Sequence, residues 1–231
     1  SHGATHGGRK LGSSGLASDF SFYFAHHMST IEGGMVCTDS DEFYEAVRMY
    51  RSHGMAREIS DPERKRKIAE ENPQVSPDFT FLVPSCNFRG TEIGGVLGLS
   101  QLKRLDENNR RRTENFHRFL KEIDPERFRT EFRVDGSSNY AFPLVIRQKD
   151  FAFRDRLEKR MREYRIEFRR GNAGGGNQLR QPYLKGIVPP DEYRKYPEVE
   201  HIHDFGYYIG NYPTLPPERV SELCRILNEA R

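Results

Sequence analysis

The stretch Ser21-Phe22-Tyr23-Phe24-Ala25-His26-His27-Met28-Ser29-Thr30-Ile31-Glu32-Gly33-Gly34-Met35 carries the deciding pattern. The aromatic run Phe20 to Phe24 is β-prone, and Gly33-Gly34-Met35-Val36-Cys37-Thr38 reads as a second short strand. Between them lies a tight polar turn holding His26, His27, Ser29 and Thr30. An imidazole in such a turn has two uses: it is a polar surface group, or a general base, since its ordinary pKa of about 6.5 sits close to neutral pH.

Upstream, residues 7 to 19 are rich in Gly and Ser and read as loop. Downstream, Asp39 and Ser40 can cap a helix whose apolar set is Phe43, Val47, Met49 and Tyr50 and which ends near Gly54. Residues 56 to 79 are charged and interrupted by Pro62, Pro73 and Pro77, so a solvent-facing insertion, partly helical at most, is expected. From Thr91 the residues Ile93, Val96, Leu97, Leu99, Leu102 and Leu105 recur at helical spacing. After Asp106 a second run, Phe116, Phe119, Leu120 and Ile123, stops at Pro125. Together they predict one long helical connector, with a bend allowed, between two lobes.

The second lobe reads as strands at Phe128 to Val134 and Tyr140 to Ile146, a helix from about Asp150 to Tyr164, and a strand at Ile166 to Arg170. A long Gly/Pro-rich loop follows, then a strand around Tyr207-Tyr208-Ile209 and a closing helix from Pro216 or Pro217 to Ala230. The expected division is residues 1–105 and 106–231, and the expected class is α/β.

Composition narrows the function. The 231 residues are 35% hydrophobic and 31% charged, with no uncharged apolar run able to span about 30 Å of hydrocarbon. Lys plus Arg number 37 against 34 Asp plus Glu, and the basic clusters Arg64-Lys65-Arg66-Lys67 and Arg110-Arg111-Arg112 sit among acids, as solvated helix faces do. Nucleic acid and membrane are therefore not expected partners. Cys37, Cys86 and Cys224 are odd in number and widely spaced, which indicates neither a disulfide framework nor a zinc ribbon and suits a reducing cytoplasm. The opening Ser1-His2-Gly3-Ala4-Thr5-His6 has no initiator Met and no signal layout, so the chain is expected to be a fragment.

The Ser21–Met35 stretch resembles the cofactor strand-turn of the sugar aminotransferase family known as DegT/DnrJ/EryC1/StrS, with His26 where most members carry the lysine that forms a Schiff base with pyridoxal phosphate. Asn87-Phe88-Arg89-x-Thr91-Glu92-Ile93, before Gly98-Leu99-x-Gln101-Leu102, is similar to the segment opening that family's long helix. Gly206-Tyr207-Tyr208-Ile209-Gly210-Asn211-Tyr212-Pro213 resembles its late glycine-bracketed strand. Ser1-His2-Gly3-Ala4 looks like the tail of the family's Glu-Asp-x-x-x-x-His-Gly-Ala segment, which would put the aspartate that holds the pyridine nitrogen upstream of residue 1.

The resemblance implies an aspartate-aminotransferase-like α/β fold (fold type I of pyridoxal phosphate enzymes), as a partial large domain plus a small carboxy-terminal domain. It also implies the family's 3-dehydratase branch, which has a His-His pair at this turn and acts on CDP- or GDP-linked 4-keto-6-deoxyhexoses with pyridoxal or pyridoxamine phosphate. His26 would be the base, and His27 a neighbour with a structural hydrogen bond. His53 would lie near the sugar, and Ser21 would contact the cofactor phosphate. Asn87 would reach the phosphate of a partner subunit, which requires a homodimer. The loop Arg169 to Pro182 resembles the family's sugar-nucleotide loop, with Asn177 and Arg180 as substrate contacts; a plain surface loop is the alternative. Only Cys86 lies between His53 and Asn87, too few thiols for an iron–sulfur cluster, so glutamate is the expected amino donor. An ordinary aminotransferase is disfavoured because no lysine lies between Lys10 and Lys65. A non-catalytic relative is the third possibility.

Overall fold

The computed structural model describes residues 2–172 and 174–230, and the chain divides into two compact units, His2–Leu105 and the residues from Asp106 onward. In the first unit a two-residue ladder joins β1 (Thr5–His6) to β2 (Arg9–Lys10), and β3 (Ala17–Ser21) pairs antiparallel with β4 (Gly34–Thr38), from Ala17↔Thr38 to Ser21↔Gly34. The strand expected at Phe20–Phe24 thus lies earlier and stops at Ser21. It stops because the next backbone groups close the turn instead: Thr30 N–H donates to Phe22 O (2.9 Å) and His26 N–H to Tyr23 O (3.0 Å).

Helix α1 (Asp41–Arg51) begins where expected, with Ser40 Oγ accepting from Phe43 N–H (3.2 Å). At Gly54, φ is +76° and a Cβ would lie 2.0 Å from Val83 O, so only glycine lets the two segments meet there. The region 56–79 is more regular than its prolines suggested. Pro62 opens helix α2 (Pro62–Glu71) rather than breaking one, because the first helical position needs no N–H; Asp61 caps it, accepting from Glu63 N–H (2.9 Å) and Arg64 N–H (3.3 Å). Buried Ile59 anchors this segment. The single connector is instead two helices, α3 (Glu92–Leu102) and α4 (Leu105–Glu122), interrupted where Arg104 N–H turns back to Gln101 O (3.0 Å).

The second unit is a three-stranded antiparallel sheet, β5 (Ala141–Val145), β6 (Phe168–Arg170) and β7 (Gly206–Gly210), in the order β5-β7-β6. Alternation sends Phe142, Leu144, Tyr207 and Ile209 into a core shared with α4, α5 (Phe151–Glu163) and α7 (Pro217–Asn228). Phe119 stacks on Phe142 with centroids 4.8 Å apart. The buried Tyr207 hydroxyl donates to Glu158 (2.9 Å), which also accepts from Arg162 (2.6 Å) and Arg170 (3.2 Å); burial holds this phenol above its ordinary range.

Three expectations change here. Phe128–Val134 contributes one bridge, Phe128↔Ile146, at the end of β5, with Arg129 N–H donating to Val145 O (2.8 Å) and Arg147 N–H to Arg127 O (2.7 Å), and forms no longer ladder: the alternation is present but the pairing does not continue along it. The strand at 166–170 shortens to 168–170. The Gly/Pro-rich loop contains a helix, α6 (Pro197–Phe205), which buries His201 and Phe205. Among the described residues no helix is long and apolar enough to cross a membrane.

Candidate active site

The turn between β3 and β4 is held from several sides. Gln101 of α3 grips it through both backbone groups of Ser29, accepting from Ser29 N–H (3.1 Å) and donating to Ser29 O (2.7 Å). Thr30 lies over Gly94 and Gly98 of the same helix, where added Cβ atoms would touch its side chain at 3.6 and 3.4 Å. At Gly33 a Cβ would fall 2.4 Å from Thr30 Oγ1, which excludes larger residues. Ile31, a β-branched residue, sits at φ +74°, a conformation that L residues adopt at a cost; Ser29 Oγ accepts its N–H (3.0 Å). A strained residue fixed by surrounding bonds marks a turn whose shape is over-determined.

That shape orients the two histidines differently. His27 is buried, its ring 6.0 Å from that of His2, which in turn stacks on Phe22 at 5.8 Å; burial is the main cause that pushes the His2 imidazole down. His26 is half-buried, edge-on to the Tyr23 ring at 5.7 Å, with Nδ1 3.3 Å from Ser21 O. A carbonyl oxygen only accepts, so this contact puts the proton of the neutral ring on Nδ1 and the basic lone pair on Nε2.

The other expected residues of the first unit fall into two local groups. Ser21, exposed at the end of β3, accepts from Tyr23 N–H (3.4 Å) and stands one hydrogen bond from the His26 ring. His53 follows α1 at φ +61°, its N–H donating to Cys86 O (3.0 Å), and Ser52 bridges Asn87, so His53 and Asn87 lie on adjoining backbone. Asn87 is exposed. Its Oδ1 accepts from Arg89 N–H and Nε, both at 3.1 Å, which orients the amide NH2 as the donating end.

In the second unit Asn177 and Arg180 meet through Glu200. Asn177 is 2% exposed: its Oδ1 accepts from Leu179 N–H (3.0 Å), its Nδ2 donates to Glu200 (2.8 Å), and its N–H donates to His203 Nδ1 (3.1 Å). Its amide is thus engaged in building the loop rather than offered outward. Arg180 is exposed, bonds Glu200 through Nε (2.9 Å) and through Nη2, and lies over the Tyr193 ring at 4.1 Å. Sequence reasoning gave no role to Gln101 or to Glu200 and His203. Gln101 had a signal, being a long polar side chain in the apolar run Ile93–Leu102; Glu200 and His203 had none, since they act from the unrecognised α6.

A family model of the DegT/DnrJ/EryC1/StrS aminotransferase family matches residues 1–228. The chain is 28% identical over 231 residues to the GDP-4-keto-6-deoxy-D-mannose 3-dehydratase of Yersinia pseudotuberculosis, covering 99% of this chain and 58% of that protein. It is similar in structure to the Escherichia coli GDP-4-keto-6-deoxy-D-mannose-3-dehydratase with bound hydrated pyridoxal phosphate, at TM-score 0.76 and 24% identity over 97% of this chain and 57% of that one. A variant of a GDP-4-keto-6-deoxymannose-3-dehydratase with bound GDP-perosamine gives TM-score 0.78 at 24% identity, covering 97% and 58%. The chain therefore spans little more than half the length of the curated relatives it matches. The expected α/β fold of the sugar-aminotransferase type is the fold these neighbours have. From these matches and the motifs that carry them, the chain belongs to the DegT/DnrJ/EryC1/StrS aminotransferase family.

Proposed function

We propose that a protein carrying this chain is a pyridoxal or pyridoxamine phosphate-dependent 3-dehydratase of a GDP-linked 4-keto-6-deoxyhexose, with His26 as its base. The observation that carries this reading is the His26 turn: an imidazole replaces the lysine amine, and its contact with Ser21 O assigns the basic lone pair to Nε2. The named activity of the 28% identical Yersinia protein supports dehydration and a GDP-linked substrate.

The donor set fits the cofactor. The exposed Ser21 hydroxyl and the outward Asn87 amide can both donate to phosphate oxygens, Asn87 toward a second copy of the chain in a homodimer. When bound, the cofactor supplies an electron sink that lets the sugar lose its 3-hydroxyl as water. His26 Nε2 takes up and returns the proton that this loss requires, and the Gln101 clamp keeps the ring in register. His53 faces the sugar from the end of α1. Arg180 contacts the substrate from the loop that Asn177 holds in shape. Residues 1–105 act as part of the cofactor-binding domain and 106–231 as the small domain. Glutamate serves as amino donor without an iron–sulfur cluster, in the cytoplasm.

The test is product analysis. This chain, completed with the amino-terminal half of a family member, is incubated with pyridoxamine phosphate, glutamate and a panel of GDP- and CDP-linked 4-keto-6-deoxyhexoses, beside a His26→Lys variant. A 3-deoxy product from the parent, lost or diverted to a 4-amino sugar in the variant, is expected. A 4-amino sugar from the parent would refute dehydration.

A further inference from the structure

The second unit contains a cleft that the site above does not use. It is open, about 460 Å³ in volume, and Arg129, Arg147 and Lys149 line it together with Glu198 and His201 of α6. Its place on that helix is separate from the Asn177 loop. Glu198 and His201, three residues apart, share one face of α6, while Glu200 and His203, also three apart, bond Asn177 from the opposite face, since two residues advance about 200° around an α-helix.

The cations of this cleft are not equally engaged. Arg147 is committed: it donates to Pro125 O (3.0 Å) and Phe128 O (3.2 Å), and Glu131 balances its charge at 2.7 and 2.8 Å. Lys149 is exposed and forms no ion pair with any described residue. Arg129, half-buried, donates to Glu198 through Nη1 alone (3.0 Å), which leaves Nε and Nη2 without an acceptor among the described residues. His201 is 4% exposed and fixed, its Nε2–H donating to Ile146 O (2.7 Å).

Glu198 reports what such a cleft favours. Arg129, by its hydrogen bond and then its charge, holds this carboxyl below the ordinary carboxylate range, with His201 and Lys149 acting in the same sense. The Glu198 side chain is 78% exposed, so it can turn into solvent and release Arg129 without losing burial. A free monocarboxylate competes poorly with it, because a tethered group acts at an effective concentration of about millimolar or more. A dianion with several oxygens competes well: it can take the open edge of Arg129 and the Lys149 ammonium together, whereas Glu198 bonds Arg129 alone.

We infer that this cleft is a phosphate site, in which Arg129 and Lys149 bind the dianion of inorganic phosphate or of a small phosphomonoester as Glu198 turns away. The inference goes beyond the dehydratase reading and does not rest on it, since neither the His26 turn nor the Asn177–Arg180 loop takes part.

The test is titration of the 231-residue chain with inorganic phosphate, glycerol 3-phosphate and acetate at constant ionic strength and about pH 8, where phosphate is a dianion, followed by NMR of the backbone amides. Saturable shifts at Lys149 and Val199 are expected with either phosphate, and acetate should bind at least about tenfold more weakly. Lys149→Gln should weaken phosphate about fivefold, and Glu198→Gln should tighten it about fivefold by removing the competing carboxylate. Glu163→Gln, which makes the same charge change on α5 outside the cleft, should leave affinity within about twofold. Thermal midpoints confirm that the three variants fold. Absence of saturable phosphate binding would overturn the inference, as would a Glu163→Gln effect equal to that of Glu198→Gln, which would mark general charge rather than a site. Tighter binding of glycerol 3-phosphate than of inorganic phosphate would support the site as one for a phosphomonoester, and the reverse order would support it as one for the free ion.

Discussion

Replacing Gln101 by Met removes both hydrogen bonds to Ser29, at 3.1 and 2.7 Å, while keeping side-chain length and helix propensity. Each bond is part-buried, so a net worth near 1 kcal/mol apiece applies, and the turn loses about 2 kcal/mol against local opening. At about 1.4 kcal/mol per decade, the Ser29 amide should exchange with solvent about thirtyfold faster. Residue-resolved hydrogen exchange by NMR reads this directly, and the Phe43 amide, bonded to Ser40 Oγ, is the internal control that should not move. Gln101→Glu should fall between, because it keeps the acceptor for Ser29 N–H and loses the donor for Ser29 O. In the completed enzyme the same change should lower kcat more than it raises KM, as the His26 ring loses its fixed position. A Ser29 exchange rate within about twofold of the parent would refute the reasoning and assign the turn to its backbone bonds, Phe22 N–H to Gly33 O and Thr30 N–H to Phe22 O, alone.

Two further outcomes follow from single residues. Ile31 holds φ +74° while 67% exposed, so Ile31→Asn relieves left-handed strain without losing burial and should stabilise the chain by about 0.5–1 kcal/mol in urea unfolding; a destabilised variant would show that the side chain packs usefully. The Arg180 hydrogen bonds hold the Glu200 carboxyl below its ordinary 4.5, so the unfolded chain takes the proton first. The pair's contribution is therefore complete above that ordinary value and fades as pH falls through the folded one. Exchange protection of the Leu179 amide should drop across that window, and Glu200→Gln should reproduce the drop at neutral pH; equal protection in that variant would remove Glu200 from the loop's support.

Where a structural decision is local, the sequence carried it. Ser40 can cap α1 because a cap needs only a short oxygen three residues before an N–H, and the β3-turn-β4 segment was legible because strand-formers and glycines flank a polar turn. The family motifs were equally visible, being runs of adjacent residues. The sequence did not determine which strands find partners: Phe128–Val134 has a strand's alternation yet gains one bridge, while α6 stands in a Pro-rich stretch and is stabilised by burying His201 and Phe205. Nor did it pair Gln101 with Ser29, 72 positions earlier, or Asn177 with Glu200 and His203, since such contacts depend on which surfaces pack together. The difference is one of range. Caps, turns and motif chemistry are set within a few residues by backbone geometry, as the contact of His26 with Ser21 O is, whereas the Gln101 clamp on Ser29 and the Glu200 support of Asn177 exist only once distant segments pack together and exclude water between them.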